Sequence, residues 1–350
     1  MNRVRFIDIA KSIAIIAIID VHIIGGGIIT LGDTFHVAFF LFLPGLFLPK
    51  DNSLVLSYKD YIIKKAKSLL WPYFTLSLIN IILGIILSFI NSSVNYSSIV
   101  SAIVLRGYGT LWFLPVLFLG ELISGWFYKI AQGNKILLST IIFTLILVLY
   151  ICKSTFINAS FLTIDYSRFN ISLLRWPIIF VLSGIVAATF SLLGAIFSET
   201  IWNCECYSKR KCLNLLLIIA FSLFIDSFLH KYYDCDLHFF RVFPLAVYYL
   251  ASISGISVVL SLSILLSYIP RLLRFLCYLG EGRNSLVIMT THKEFFISWF
   301  AFKVSSNLPI ISSNIHLICM VSLVLTILIE IPIIQIVNAT KVKYLYKYPF

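Results

Sequence analysis

The sequence predicts an all-α integral membrane protein of about ten transmembrane helices with no soluble domain. Three observations carry that expectation. Of 350 residues, 60% are hydrophobic and only 12% are charged, with a mean hydropathy of +0.99. Soluble domains run closer to about a quarter charged, so lipid must be the solvent for most of this surface. The apolar residues also fall into runs near the ~20 residues that a helix needs to cross a hydrocarbon core. Finally, the connections are short, the longest lying at 153–174. The net charge of +12 would suit nucleic acid if it were gathered on one surface. Here the basic residues sit between apolar runs, so the expected partner is the lipid bilayer and not nucleic acid.

In chain order the spans are expected at 7–25, 35–49, 68–90, 111–131, 135–152, 175–199, 212–230, 242–268, 284–303 and 309–336. The first has no small-residue cleavage site and is expected to remain in the protein. The second is short and holds Pro44-Gly45. The fourth opens on Trp112-Phe113, where a tryptophan usually serves as an interface anchor, and carries Pro115 and Glu121. The ninth contains Asn284-Ser285-Leu286 and then His292-Lys293-Glu294. The tenth closes on Glu330 and Pro332. No two spans are alike enough to mark an internal repeat.

Charge orients the bundle. With the N-terminus inside, 18 of the 27 Lys and Arg residues fall in cytoplasmic segments and seven in outer ones, while Lys11 and Lys293 lie within spans. That asymmetry places both termini in the cytoplasm and supports an even number of spans. The seven cysteines say less. Cys204, Cys206 and Cys212 match no standard zinc spacing and read as reduced thiols. Cys152 and Cys235 both face outward, and the sequence leaves their pairing open. No metal is expected.

The first span carries the polar chemistry. Its stretch RFIDIAKSIAIIAIIDVH holds Arg5, Asp8, Lys11, Asp20 and His22. At about 100° per residue, Lys11 and His22 lie about 20° apart around the helix, and Asp8 about 40° from His22. One face therefore bears a charged pair and, roughly 16 Å further along, an imidazole. Asp20 points elsewhere. Charges in hydrocarbon are costly, so this face is expected to meet the bundle interior or water. A simple anchoring role at the interface remains open for Arg5. His36 begins the second span, separated from His22 by a turn containing Gly25-Gly26-Gly27, so the two imidazoles are expected to meet. Glu330 is expected to neutralise Arg5 or Lys11. There is no phosphate-binding glycine loop, HExxH pair or nucleophile elbow. What remains, histidine with Arg, Lys and carboxylates inside the membrane, suits proton abstraction from a hydroxyl or an ion relay.

These pieces together resemble the membrane-bound acyltransferase family 3, in particular its fucose 4-O-acetylase-like branch of polysaccharide O-acetyltransferases. The resemblance rests on Arg5, Ile7-Asp8, Lys11 and His22; on His36, Phe39-Phe40 and Pro44-Gly45; and on Lys64-Lys65-Ala66-Lys67 with Pro72-Tyr73. It continues through Leu111-Trp112-Phe113-Leu114, Asn284-Ser285-Leu286 with His292, and Glu330 with Pro332. Two positions depart from the pattern: Pro44 stands where serine is commoner, and Asp20-Val21 precede the histidine where a small residue is usual.

The resemblance implies one transmembrane domain over 1–350 in the bacterial cytoplasmic (inner) membrane. It implies an O-acyltransferase, acetyl-CoA by default being the acyl-CoA donor, and an envelope glycan or lipid-linked saccharide of O-antigen type as acceptor. On that basis His22 is expected to be the general base, with Asp8 ordering Arg5 or Lys11. Arg5, Lys64, Lys65 and Lys67 are expected to hold the CoA phosphates, and His36 or His292 to orient the sugar or the oxyanion. Trp112, Ser285 and Glu330 complete the motif set. The alternatives are an O-antigen polymerase-like membrane glycosyltransferase, which typically carries a larger outer loop, and a polysaccharide flippase or secondary transporter, which usually shows internal repeats.

Overall fold

The computed structural model describes residues 5–24, 35–51, 54, 57–91, 97–107, 109–152, 169–205, 209–230, 236–238, 240–293, 295–309 and 313–340. The turn at Gly25-Gly26-Gly27, Cys206, Cys235, Glu294 and the C-terminal lysines from Lys341 onward lie outside these residues. The described chain is helical almost throughout. It begins with α1 (Arg5–Ile24) and α2 (Phe35–Phe47), which runs into a 3-10 turn at Leu48–Lys50. Next come α3 (Tyr58–Lys65), a π-helical segment (Ala66–Leu70), α4 (Trp71–Asn91), α5 (Ser97–Ile103), α6 (Phe113–Ala131), α7 (Lys135–Cys152) and α8 (Phe169–Trp202). The remainder is α9 (Lys209–His230), α10 (Leu245–Leu266), α11 (Pro270–Gly280), α12 (Gly282–Thr291), α13 (Ile297–Ser306) and α14 (Ile315–Ala339). Among the described residues the β structure consists of an isolated bridge, Asp236 to Arg241.

This is an all-α membrane protein. Among the described residues, six helices have the length and composition of a membrane span: 113–131, 135–152, 176–202, 210–229, 245–266 and 315–339. The lipid-facing ones are recognisable by what they expose. On α7, Ile136 and Phe143 are exposed, and on α9 so are Leu217, Phe221, Phe224 and Phe228. A soluble protein could not present such faces to water. Helix α1 has 20 residues but is the charged one; Asp8, Lys11 and Asp20 are all buried inside protein.

Two expected spans have different shapes from those read in the sequence. The third begins well before residue 68: α3, the π segment and α4 follow one another without interruption from Tyr58 to Asn91. The ninth is two helices, α12 and α13, separated at 292–296. Phe296 adopts a left-handed φ of 57°, and the His292 carbonyl accepts from both the Ser298 amide (2.9 Å) and the Ser298 hydroxyl (3.0 Å). The Ser298 donors thereby satisfy the His292 carbonyl that the break leaves without a helical partner.

The chain forms two compact units. Unit 1 comprises 1–40, 202–236 and 241–348; unit 2 comprises 41–201, 237–240 and 349–350. In unit 1, α1 is the central element, packed by α10, α11, α12, α13 and α14. The closest approach is to α11. A Cβ on Gly280 would lie 1.7 Å from the Asp8 carbonyl oxygen, and the Ser12 hydroxyl donates to the Leu276 carbonyl. Unit 2 is held by small residues on α8. Ser191 and Ala195 face Gly45, Gly194 meets the Phe42 carbonyl, and Ala187 lies against Gly120 of α6. Small side chains of this kind let backbones approach where hydrophobic burial gives no drive between helices.

Because Gly280 abuts backbone, Gly280→Val is expected to force α11 from α1 and cost about 1–3 kcal/mol. The check is thermal unfolding in detergent; a melting temperature equal to the wild type would contradict the packing described.

Candidate active site

The charged face of α1 is buried inside unit 1. Lys11, 2% exposed, places Nζ 4.0 Å from the Asp8 carboxylate one turn earlier. Arg5 is exposed, and its carbonyl takes the Cys277 thiol at 3.7 Å. At the other end of the helix His22 is half-buried. Its imidazole partner is His292, with Nδ1 of His22 2.8 Å from Nε2 of His292 and ring centroids 5.0 Å apart. That contact joins residues the sequence does not connect. His36 is buried at the start of α2, edge-on to the ring of Phe35.

The pair has a definite polarity. Nδ1 of His292 lies 2.6 Å from the carbonyl of Ile288. A carbonyl can only accept, so this nitrogen carries the proton. Nε2 of a neutral His292 is then an acceptor, and the His22 Nδ1–H must donate to it. The basic lone pair of His22 is thereby assigned to Nε2. His292 is fully buried because the helix break turns it inward, while Lys293 beside it is exposed.

The surroundings of His292 are polar and buried. Thr291 Oγ1 lies 2.9 and 2.8 Å from the two carboxylate oxygens of Glu330 on α14. Glu330 is wholly buried, and its hydrogen-bond partner is Thr291 where Arg5 or Lys11 had been expected. Asn284 ties α12 to its neighbours. Its amide donates to the Tyr278 carbonyl at 2.8 Å, and its oxygen accepts from Asn338 of α14 at 3.0 Å; Arg283 in turn donates to Asn338. Ser285 donates to the Gly282 carbonyl of its own helix at 3.1 Å, a local role. Asn284 thus fixes the helix that delivers His292.

Unit 2 redistributes the basic stretch. Lys65, expected to meet phosphate, is buried and forms an ion pair with Glu121 of α6 at 2.6 Å, above the ring of Tyr61. That leaves it engaged inside the protein. Gly125 makes room for Tyr61; a Cβ there would stand 2.7 Å from the ring. Lys64 is exposed and paired with Asp51 at 2.9 Å, and Lys67 is exposed on the π segment. A π turn shifts the register of the side chains that follow, and such segments are frequent at functional sites. Trp112 is buried by protein, 7% exposed, and stacked on His238 with ring centroids 4.8 Å apart.

Sequence reasoning missed Asp51 and His238 altogether, and did not connect Lys65 with Glu121 or Thr291 with Glu330. One signal was present: Glu121 is an isolated carboxylate in an apolar run, and buried charge requires a partner. His238 had none, since its neighbours in the fold are remote in sequence. Among the described residues no group of three or more His, Cys, Asp and Glu side chains is arranged to hold a metal ion.

The arrangement at α1 and the end of α12, a half-buried His22 held by a buried His292 with one nitrogen assigned as base, can accept a proton from a hydroxyl. Residues 4–334 match the model of the acyltransferase domain, acyltransferase family 3. The match spans nearly the whole chain, and the chain belongs to that family: it is a multi-pass membrane acyltransferase. No curated protein and no solved structure matches it significantly. The family match supports acyl transfer over the polymerase and transporter alternatives.

Removing one partner of a buried ion pair strands the other. Lys65→Met is expected to destabilise the protein by about 3–5 kcal/mol, and Lys65→Met with Glu121→Leu to recover most of that loss. Thermal unfolding of the single and double variants tests this. A single variant as stable as wild type would contradict the buried pair.

Proposed function

We propose that the protein is an O-acyltransferase that moves an acyl group, acetyl by default, from cytoplasmic acyl-CoA to a sugar hydroxyl of an envelope polysaccharide or its lipid-linked precursor. The observation that carries this reading is the His22–His292 contact of 2.8 Å, in a chain of the acyltransferase family. Nε2 of His22 takes the proton of the acceptor hydroxyl as its oxygen attacks the thioester carbonyl. The C–S bond then breaks, and the imidazolium returns that proton to the departing CoA thiolate. His292 accepts from Nδ1 of His22 throughout, holding the ring and steadying the imidazolium.

The other residues take supporting roles. Asp8 neutralises Lys11 within the bundle, which lets a cation stay buried beside the reaction path. Arg5, Lys64 and Lys67, each exposed, offer charge to CoA phosphates, Arg5 with bidentate geometry. Lys65 is withdrawn from that set because Glu121 holds it. His36, buried in unit 1, is assigned to the acceptor or the oxyanion. Both termini in the cytoplasm of a bacterial inner membrane, and one catalytic domain over 1–350, complete the proposal.

The test is transfer of radiolabelled acetyl from acetyl-CoA into envelope glycan, using membranes from a host that supplies the native polysaccharide. At equal protein levels His22→Ala is expected to lower transfer by about 10²–10⁴, and His292→Gln by less. Transfer unchanged in His22→Ala would remove the proposed base.

A further inference from the structure

One end of unit 2 carries an aromatic and cationic cluster that the proton transfer does not use. The chain leaves α5 through three left-handed positions in five residues, Leu105 (φ 61°), Gly107 (φ 65°) and Gly109 (φ 54°). It is nevertheless fixed: the amides of Arg106 and Gly107 both donate to the Ser101 carbonyl, at 2.9 and 3.0 Å. A Cβ on Gly107 would come within 2.8 Å of Leu111. Glycine adopts this conformation freely, whereas at Leu105 it is strained, and such strain tends to mark ligand clamps and active sites.

The loop presents Arg106 to the ring of Trp176, its guanidinium carbon 6.0 Å from the centroid, a cation–π arrangement. Trp112 stacks on His238 with only 12° between the planes, and His238 in turn meets Trp176 edge to face at 6.2 Å. Trp176 is 3% exposed, and its indole N–H is buried without a hydrogen-bond partner among the described residues. A buried donor of this kind calls for an acceptor. Arg106 and His238 are part-exposed and form the open side.

Position along the helices selects the ligand. Trp112 immediately precedes α6, and Trp176 lies near the start of α8. The far ends of the same helices carry Lys129 and Glu199, the latter paired with Lys135 at 2.5 Å. Helix α6 alone is roughly 28 Å long at 1.5 Å per residue, close to a hydrocarbon thickness. The cluster and the basic end are therefore at opposite faces of the membrane, and acyl-CoA is assigned to the basic one.

We propose that Arg106, Trp112, Trp176 and His238 form a subsite for an anionic saccharide on the face opposite the acyl-CoA. The Trp176 N–H donates to a sugar oxygen, Arg106 pairs with a carboxylate or phosphate, and the part-exposed His238 ring, held by Trp112, borders the sugar. The proposal rests on the reading of the acceptor as a saccharide.

The experiment uses the full chain in nanodiscs and tritiated envelope glycan from the source cells, de-O-acetylated with alkali. Wild type is expected to bind saturably, and Arg106→Gln and Trp176→Phe about tenfold more weakly, with acetyl-CoA binding unchanged and both variants folded at the assay temperature. Arg106→Lys, which keeps the charge, should bind in between and covers the case of a poorly folded glutamine variant. Glycan with its carboxyls reduced and glycan dephosphorylated with hydrogen fluoride show which anion Arg106 reads. Equal glycan affinity in folded variants, no binding by wild type, or loss of acetyl-CoA binding instead would overturn the subsite. Glycan binding by a wild type that transfers no acetyl group would leave the subsite standing and remove the transferase reading. Transfer with unchanged acceptor KM in Arg106→Gln would do the reverse.

Discussion

A charge placed at membrane depth must find a partner inside the protein, and that requirement organises this molecule. Lys11 and Asp8 sit on α1, both buried. Lipid contact on that face would leave them unsolvated, at a cost of about 2.5–3.5 kcal/mol per residue on insertion scales and more by other measures. The solution is to surround α1 with five helices of unit 1. Gly280 permits the tightest of these contacts by leaving space beside the Asp8 backbone. Unit 2 answers the same problem separately with Lys65 and Glu121. Neither pair is expected to add much net stability, since desolvation offsets most of the attraction; the pairs make buried charge tolerable.

Regular helix gives way where polar groups are delivered. The π segment follows Lys65 directly, the α12–α13 break follows His292, and the left-handed loop surrounds Arg106. Non-helical backbone at membrane depth is tolerated only where protein or water satisfies it, and here it is satisfied: the His292 carbonyl takes two donors from Ser298. The break also turns His292 inward next to Thr291, whose hydroxyl reaches Glu330. Backbone irregularity and imidazole placement are thus one feature.

Much of the fold was legible in the sequence because lipid imposes a simple rule. Apolar runs of about 20 residues must be helices, and the fifth span was read at 135–152, the bounds of α7. The shared face of Asp8, Lys11 and His22 followed from helical periodicity alone. Partners across the fold were less accessible. His22 and His292 are 270 residues apart, and helical periodicity carries no information across that distance. Lys64, Lys65 and Lys67 read as one basic patch, yet consecutive residues on a helix point about 100° apart, and only the tertiary contact reveals that Lys65 faces Glu121. The break inside the ninth span was hidden because hydropathy averages over the few polar residues that cause it.

The central claim is that His292 holds His22 with its basic lone pair on Nε2. Solid-state ¹⁵N NMR of histidine-labelled protein in lipid measures this directly, with His22→Gln used to assign the resonances by difference. The account predicts His22 as the neutral Nδ1–H tautomer, hydrogen-bonded through that proton to a second imidazole, with Nε2 unprotonated. A His22 ring protonated at Nε2, or one whose signals are unaffected by His292→Gln, would contradict it.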